Sequence, residues 1–598
     1  MLHRGAALRR LQHQPLALYF SLAVNAYVVL YLMFHTSTMV HQSVSSGDSR
    51  SNPVHPLMSD YTRAHRAEGL GVQPLFGNAN VWPSLTGAAP EVWAAGTLGA
   101  NESIALAVEA ALTPDEREQL QALCGRCLHQ TITQSVEVRG IGESVFVATG
   151  DIPDEWLRDG AVQMSLYLPR LAEHPVLRPI IEGAIRTQAY FILSDPWANS
   201  YRKDWVRPER LGKFERQIGR GGWVATRNFE VDSGAYWLNL LWNYASTPGS
   251  LWAAAAFLNS SLIHDAAALL LDTWTTEQRH ETDSPYRYAE LPREGRGAPS
   301  NYTGMIWSGF RPSDDPNTYG FNIPVNMYAA GSLERLVALN DRVWRDPALG
   351  AAAARLAAEI RAGIEAFGVV RLQPEEGQGG ASASAPSGAA SSSASSSSSS
   401  SSSGSASTIY AYEVDGLGGV LASFDDPNIP SLLSIPLLGY PHYDPATYQR
   451  TRSRILSSAN SHYYSGRVLS GCGSPHTPAN YVWSLAHCVQ GLTSADPGER
   501  AGLFKQLLQM QGSNGLMHES NDVNSPQQLT RPLFQWANSM LVVYFEQTFG
   551  RSCSPLAEAL RQQGVAAREA GQSLTPRNGG PDLPAYYDRL EQNIPHVP

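Results

Sequence analysis

Two short acidic segments, far apart in the chain, carry the residue types needed to split a glycosidic bond: Trp307-Ser-Gly-Phe-Arg-Pro-Ser-Asp-Asp315 and Met517-His-Glu-Ser520. Such a reaction needs a protonated carboxyl at the leaving oxygen and a second carboxylate that acts as base on water or as nucleophile. Asp314 and Asp315 are adjacent acids beside Arg311. If their side chains converge they resist ionising together, which leaves one able to hold a proton. Glu519 is the candidate second carboxylate. Read alone, Ser313-Asp314-Asp315-Pro316 would be a turn cap, and Glu519 either a solvent-facing loop carboxylate or a base over the pocket. The company of Trp307, Phe310, Arg311 and Tyr319 favours chemistry at the acid pair.

Other motifs have the makings of a polyhydroxyl pocket. Arg158 and Asp159, at a helix start, suit vicinal hydroxyls, because a guanidinium donates in a fixed fork and a carboxylate accepts from O–H groups. Phe229-Glu230-Val-Asp232 and Tyr412-Glu413-Val-Asp415 repeat the mixture of acid and aromatic, and Ser474-Pro-His476-Thr-Pro478 holds a histidine in a proline-bounded turn. Neither His518-Glu519 nor His280-Glu281 is followed by the histidine of an HExxH zinc site. Cys124-Gly-Arg-Cys127 is a lone CxxC among five cysteines. It reads as a local disulfide in an oxidising compartment sooner than as a metal or redox site, or else as a pair with no role.

The elements that must position these residues are helices. Thr113-Pro-Asp-Glu116 is a capping box with Pro at the first helical position. Helical spacing runs over 176–193, 231–244, 323–339, 351–367, 477–492 and 530–549, and strand alternation is scarce. The acidic motifs fall at or just before helix starts, so antiparallel helical hairpins would gather them at one end. The fold class expected from spacing is all-α.

Organisation is legible at both ends. Arg4, Arg9 and Arg10 precede an apolar run over 15–34, long enough to cross a bilayer and longer than a cleavable signal, which predicts an uncleaved signal anchor with 1–14 cytosolic and the rest lumenal. A Ser-, Pro- and Gly-rich stem over 35–100 leads to a catalytic region over 101–552, followed by a tail over 553–598. Within it, 381–408 is almost entirely Ser, Ala and Gly and reads as a disordered insertion. Asn101, Asn259 and Asn301 head N-glycan acceptor triplets. A net charge of −10, without a basic block beyond the first ten residues, excludes a nucleic-acid partner. The 14 Trp and 25 Tyr suit sugar stacking, although for most of them core packing is the better reading.

Taken together, the motifs resemble glycoside hydrolase family 125, the exo-acting α-1,6-mannosidases. The resemblance rests on Gly150-Asp-Ile-Pro-Asp-Glu-Trp-Leu-Arg-Asp159, Phe229-Glu-Val-Asp-Ser233, Trp307 to Asp315, Tyr410-Ala-Tyr-Glu-Val-Asp-Gly416, Pro430-Ser-Leu-Leu-Ser434, Gly473-Ser-Pro-His-Thr-Pro478, Met517-His-Glu-Ser520 and Trp536-Ala-Asn538, in the family's order. It implies an (α/α)6 barrel and inverting hydrolysis of terminal α-1,6-linked mannose with neither metal nor cofactor. The acid would be one of Asp314 and Asp315, and the base Glu519. Arg158, Asp159, Glu230, Asp232, Trp307, Arg311, Glu413 and His476 would line the sugar pocket. The chain departs from the family at Gly234-Ala235 and Pro316-Asn317. The expected partners are a mannose-containing oligosaccharide or N-glycan and a membrane, with the chain a monomer in the Golgi. The alternative is a catalytically silent glycan-binding protein on the same scaffold. A metal-dependent glycosyltransferase is set aside because no Asp-x-Asp motif is present.

Overall fold

A computed structural model describes residues 101–553 apart from 140–143, 175–176, 207–209, 248–250 and 372–407, together with Leu556. The expected membrane anchor at 15–34, the stem and residues 381–407 of the Ser-rich insertion lie outside the described residues. Thr408, expected in the insertion, begins a strand. Among the described residues no helix is long and apolar enough to cross a membrane.

Helices dominate, in two kinds. Those of the first kind are closed by their own sequence. In α1 (Glu102–Ala111) and α2 (Pro114–Gln130) the caps are Asn101 and Thr113, the latter in the capping box read above. Helices α8 (Pro347–Gly363), α9 (Pro445–Ile455) and α11 (Pro497–Met510) each start with an Asp cap followed by Pro, namely Asp346, Asp444 and Asp496. A cap of this type contributes about 1 kcal/mol by satisfying N–H groups that have no partner in the first turn. The helices of the second kind are α3 (Leu157–Ser165), α5 (Val231–Ser246), α10 (Ser484–Leu492) and α12 (Gln535–Phe549). They start without a side-chain cap, after the extended residues Trp156, Glu230, Trp483 and Phe534. Every residue of α3 is buried. A helix buried all round lies inside a larger assembly, and here α3 packs on α5 and α12, and α12 on α10 and α2. Helix α7 (Ile323–Asn340) packs between α5 and α8, and α4 (Leu177–Ser194) against α6 (Ser261–Glu277). Trp197, Trp237, Trp274, Trp307, Trp483 and Trp536 are fully buried, so core packing is the lot of many aromatics.

The all-α expectation needs a correction. Among the described residues there are six small antiparallel sheets, three of them three-stranded. One joins β1 (Glu155–Trp156), β2 (Ser200–Val206) and β3 (Gly222–Thr226); a second joins β4 (Phe321–Asn322), β5 (Glu413–Val414) and β6 (Val420–Leu421); a third joins β7 (Tyr481–Trp483), β8 (Ser520–Asp522) and β9 (Leu529–Thr530). Runs this short leave too few alternations to stand out in the sequence. They also trim two expected helices. Residues 477–483 do not belong to α10, because Tyr481–Trp483 pairs with Ser520–Asp522. Helix α12 starts at Gln535 and not at 530, after Arg531 in a left-handed conformation (φ 48°) and Pro532. Between 411 and 444, Pro427, Pro430, Pro436 and Pro441 confine the chain to strands, turns and one helical turn, Ile435–Leu437.

The CxxC reading is also corrected. Cys124 is disulfide-bonded to Cys553, tying α2 to the segment after α12. Cys127 remains a buried thiol that donates to Asn538 Oδ1 at 3.1 Å.

Candidate active site

Strands β1, β4 and β7 run straight into α3, α7 and α10, and this is how short segments of chain become fixed at helix starts. The first group of candidate residues forms around Arg158, in the first turn of α3. Its Nη1 donates to Glu230 Oε2 at 2.8 Å and to Asp232 Oδ2 at 3.1 Å, while Nη2 stands 3.5 Å from Asp314 Oδ2 and Nε 3.6 Å from Asp159 Oδ2. The Arg158 guanidinium also lies over the Trp536 ring, 5.2 Å from its centre. Four carboxyl groups thus face one guanidinium in a buried setting. Burial and like-charge repulsion oppose ionisation of the three buried ones, Glu230, Asp232 and Asp159. Burial, with Asp314 and Asp232 alongside, pushes Glu230 well above the carboxylate range against the pull of Arg158. Burial lifts Asp159 and Asp232 to about 6, again opposed by Arg158. Polar capacity is left over: Arg158 Nε, Asp232 Oδ1 and Trp536 Nε1 are buried without a hydrogen-bond partner.

Asp314 joins this cluster to the first sheet. Its Oδ1 accepts from Trp156 Nε1 at 2.9 Å and from Asn199 Nδ2 at 2.5 Å, and Asn199 Nδ2 also donates to Glu230 Oε1 at 3.0 Å. The partners come from distant segments, so Asp314 is no local turn cap. It takes a left-handed backbone (φ 67°), at a cost of roughly 1–2 kcal/mol. Its side chain is 28% exposed and that of Asp315 27%, which leaves both carboxyls reachable.

The second group links Asp315 to Glu519. His476 Nδ1 donates to Asp315 Oδ1 at 3.0 Å. Burial opposes charge on His476, but the hydrogen bond and charge of Asp315, helped by Glu519 and Asp314, lift it to about 9, so the ring is a cation at neutral pH. Glu519 immediately precedes β8. Burial raises its pKa, against His476, Arg531 and Thr530, and Arg531 Nη1 lies 4.0 Å from Oε1. The loop before it is tied down by Met517 N donating to Asn538 Oδ1 at 3.0 Å and by His518 Nδ1 donating to the Arg531 carbonyl at 3.1 Å. His476 therefore bonds the Asp314-Asp315 loop and lies near enough to Glu519 for their charges to interact.

Trp307, Arg311 and Glu413 sit behind these groups. Arg311 Nε donates to Glu413 Oε1 at 2.7 Å, and Glu413 Oε2 accepts from the backbone N–H groups of Thr318 and Tyr319 at 2.8 and 2.9 Å. That pair closes the loop carrying Asp314 and Asp315 upon β5. Trp307, 1% exposed, stacks on His280 at 3.4 Å, so its contacts are with protein. Gly320 makes room for it, since a Cβ there would lie 2.1 Å from the indole. The two departures from the family pattern fit locally. A Cβ on Gly234 would meet Leu270 at 2.6 Å, and Asn317 Nδ2 donates to the Ser308 carbonyl at 2.9 Å, bracing the acid loop. Sequence reasoning missed Asn199, Trp156 and Trp536 as parts of the site. Asn199 is a lone amide in the loop before β2, outside the motifs singled out, while Trp156 stands beside the more conspicuous charges of its motif and Trp536 in a motif without charge. Among the described residues no three His, Cys, Asp or Glu side chains gather into a metal-holding group.

Comparisons with known proteins identify the family. The family model of metal-independent α-mannosidases (GH125) matches residues 117–381 and 383–544. The meiotically up-regulated gene 157 protein of Schizosaccharomyces pombe is 32% identical over 457 residues, covering 71% of this chain and 81% of the yeast protein. A metal-independent α-mannosidase from Streptococcus pneumoniae, solved in a non-productive complex with α-1,6-mannobiose, superimposes with a TM-score of 0.62 at 32% identity, over 76% of this chain and 100% of the bacterial one. Matched by the family model over most of its length and 32% identical to a relative across 81% of that relative, the chain belongs to glycoside hydrolase family 125, the metal-independent α-mannosidases.

Proposed function

We propose that the protein is an exo-acting α-1,6-mannosidase that removes terminal non-reducing mannose from glycans by an inverting mechanism, with general acid and general base as its only chemical machinery. The observation that carries this reading is the hydrogen bond from His476 to Asp315, beside the charge interaction of the same ring with Glu519. In the proposed reaction a carboxyl of the Asp314-Asp315 pair gives its proton to the glycosidic oxygen. Glu519 takes a proton from the water that attacks the opposite face of the sugar. Arg158, Asp159, Glu230 and Asp232 form the floor that grips the mannose hydroxyls, and Arg311, Glu413 and Trp307 hold the acid loop from behind.

The bacterial relative's α-1,6-mannobiose complex supports the linkage. The same reading takes the helix pairs as an (α/α)6 toroid, supported by the packing of α12 on α3, α3 on α5 and α5 on α7. We also propose a single-pass, lumenal protein of the Golgi acting as a monomer. The Cys124–Cys553 disulfide supports an oxidising compartment, and Asn101, Asn259 and Asn301 are all exposed. The test is mannose release from α-1,2-, α-1,3- and α-1,6-linked mannobiose with a chelator present. Release from the α-1,6 isomer is expected. Binding of all three without release would replace the enzyme by a glycan-binding protein.

A further inference from the structure

We propose that Asp426 positions His476: through the Ser474 hydroxyl, its buried carboxyl fixes the turn that sets the His476 ring against Asp315. The inference rests on the mannosidase reading above and deepens it by naming the group that decides where His476 is held.

The acid pair has a second copy in the sequence. Asp425-Asp426-Pro427-Asn428 repeats the tetrapeptide Asp314-Asp315-Pro316-Asn317. The two copies have opposite surroundings. Asp314 and Asp315 are more than a quarter exposed at their side chains, whereas Asp425 and Asp426 are buried. Adjacent carboxyls taken out of water need donors, and here each finds them. Asp425 accepts from the backbone N–H groups of Leu432 at 2.8 Å and Leu433 at 3.1 Å, which closes the loop that follows. Asp426 Oδ1 accepts from Asn428 N at 3.2 Å and Asn428 Nδ2 at 2.8 Å, leaving Oδ2 for a partner outside the loop. That partner is Ser474 Oγ, at 3.1 Å.

Ser474 passes the constraint on. Pro475 has no backbone N–H, so the first one after Ser474 belongs to His476, and it donates to Ser474 Oγ at 3.1 Å. The buried hydroxyl thus donates to the Asp426 carboxyl and accepts from the His476 backbone. The Ser474 carbonyl accepts from Thr477 N at 3.3 Å, and Trp483 Nε1 donates to Thr477 Oγ1 at 2.9 Å, so the turn is held on its far side too. Packing alone does not set the His476 ring, whose side chain is 36% exposed. Its bond to Asp315 Oδ1 at 3.0 Å therefore depends on where the backbone is held. Hydrogen bonds in series run from the buried acid pair to the exposed one: Asp426 to Ser474, Ser474 to His476, and His476 to Asp315. A second tie runs in parallel. Phe424, next to the buried pair, lies under the Arg311 guanidinium, 4.9 Å from the ring centre, and Arg311 with Glu413 holds the same acid loop.

The experiment follows the His476 ring by proton NMR titration of the purified protein, its signal identified by its absence from His476→Gln. Burial opposes charge on the ring, but Asp315, with Glu519 and Asp314, lifts it, and the parent midpoint should lie at about 9. In Ser474→Ala the midpoint should fall by about one pH unit or more towards the ordinary 6.5, as the ring leaves Asp315. A structural role alone would lower the unfolding midpoint and leave this titration where it was. Asp426→Asn should move it the same way by less, and it decides the matter if Ser474→Ala does not fold. A parent midpoint near 6.5, or a midpoint unmoved in either folded variant, overturns the proposal. Kinetics on α-1,6-mannobiose supply the second readout. Ser474→Ala should lower kcat about threefold to tenfold with KM near that of the parent, and should cost less than about twofold when His476→Gln is already present. Equal losses in both backgrounds overturn the proposal. If the parent releases no mannose, the mannosidase reading has failed, and the titration alone upholds or overturns the role of Asp426.

Discussion

Two buried arginines, Arg158 and Arg311, each face carboxyl groups, and they do different things. The Arg311 pair is complete. Both Glu413 oxygens are filled by Arg311 Nε and two backbone N–H groups, and Arg311 Nη2 goes to Thr318 Oγ1 at 3.2 Å. The Arg158 cluster is overloaded, with four carboxyls around one guanidinium and buried polar atoms to spare. A satisfied charged network braces structure, whereas an over-supplied one is built to receive something. The difference teaches that an acid beside an arginine in the sequence has no meaning until its partners are counted.

The largest expected effect comes from neither arginine. Glu519→Gln keeps the size and loses the proposed base, and turnover should fall by about a hundredfold to ten-thousandfold with the folded protein intact. Steady-state kinetics beside thermal unfolding check this. Arg158→Met should come next. It leaves carboxyls buried without their counter-charge, at about 3–5 kcal/mol of stability, and should abolish mannose binding, measured by denaturant unfolding and calorimetry. Were Arg158→Met to bind mannose normally, the contrast between the clusters would collapse. Glu413→Gln should be milder, at about 1–3 kcal/mol. It should lower turnover by loosening the acid loop while mannose affinity stays close to that of the parent; a loss of affinity matching that of Arg158→Met would erase the distinction.

The smallest effect is a pH dependence at His476. Its folded-state pKa of about 9 stands above the ordinary 6.5. The stabilisation it gives is therefore complete below about pH 6.5 and is lost as pH rises through about 9. Denaturation midpoints of the parent and of His476→Gln should differ most on the acid side of that window and converge on the alkaline side. A gap that widens with rising pH would contradict the assigned ion pair with Asp315.

Much of this was legible in the sequence, and the rest was not for physical reasons. Helices such as Val231–Ser246 and Ile323–Asn340 declare themselves by their period, although Ser261–Glu277 and Pro497–Met510 did not, and Thr113-Pro-Asp-Glu116 declares a cap. The family pattern names the charged residues of the site. Two- and three-residue strands such as Glu155–Trp156 and Ser520–Asp522 carry no readable alternation, so the sheets that aim Trp156 and Glu519 were invisible. Asn199 is a lone amide whose importance comes only from the two carboxyls it meets in space. The pairing of Cys124 with Cys553 spans 429 residues, and spacing alone favoured the nearer Cys127. Arg311 and Glu413 read as pocket residues because composition cannot distinguish a carboxylate that is already satisfied from one that waits for a substrate.

The most direct test of the central claim is proton NMR of the anomeric signals when the purified protein meets α-1,6-mannobiose with a chelator present. The account predicts that β-mannose appears first and then mutarotates, as inversion by an acid from the Asp314-Asp315 loop and a base at Glu519 requires. Early α-mannose would contradict it by demanding a covalent intermediate, and so a different role for Glu519.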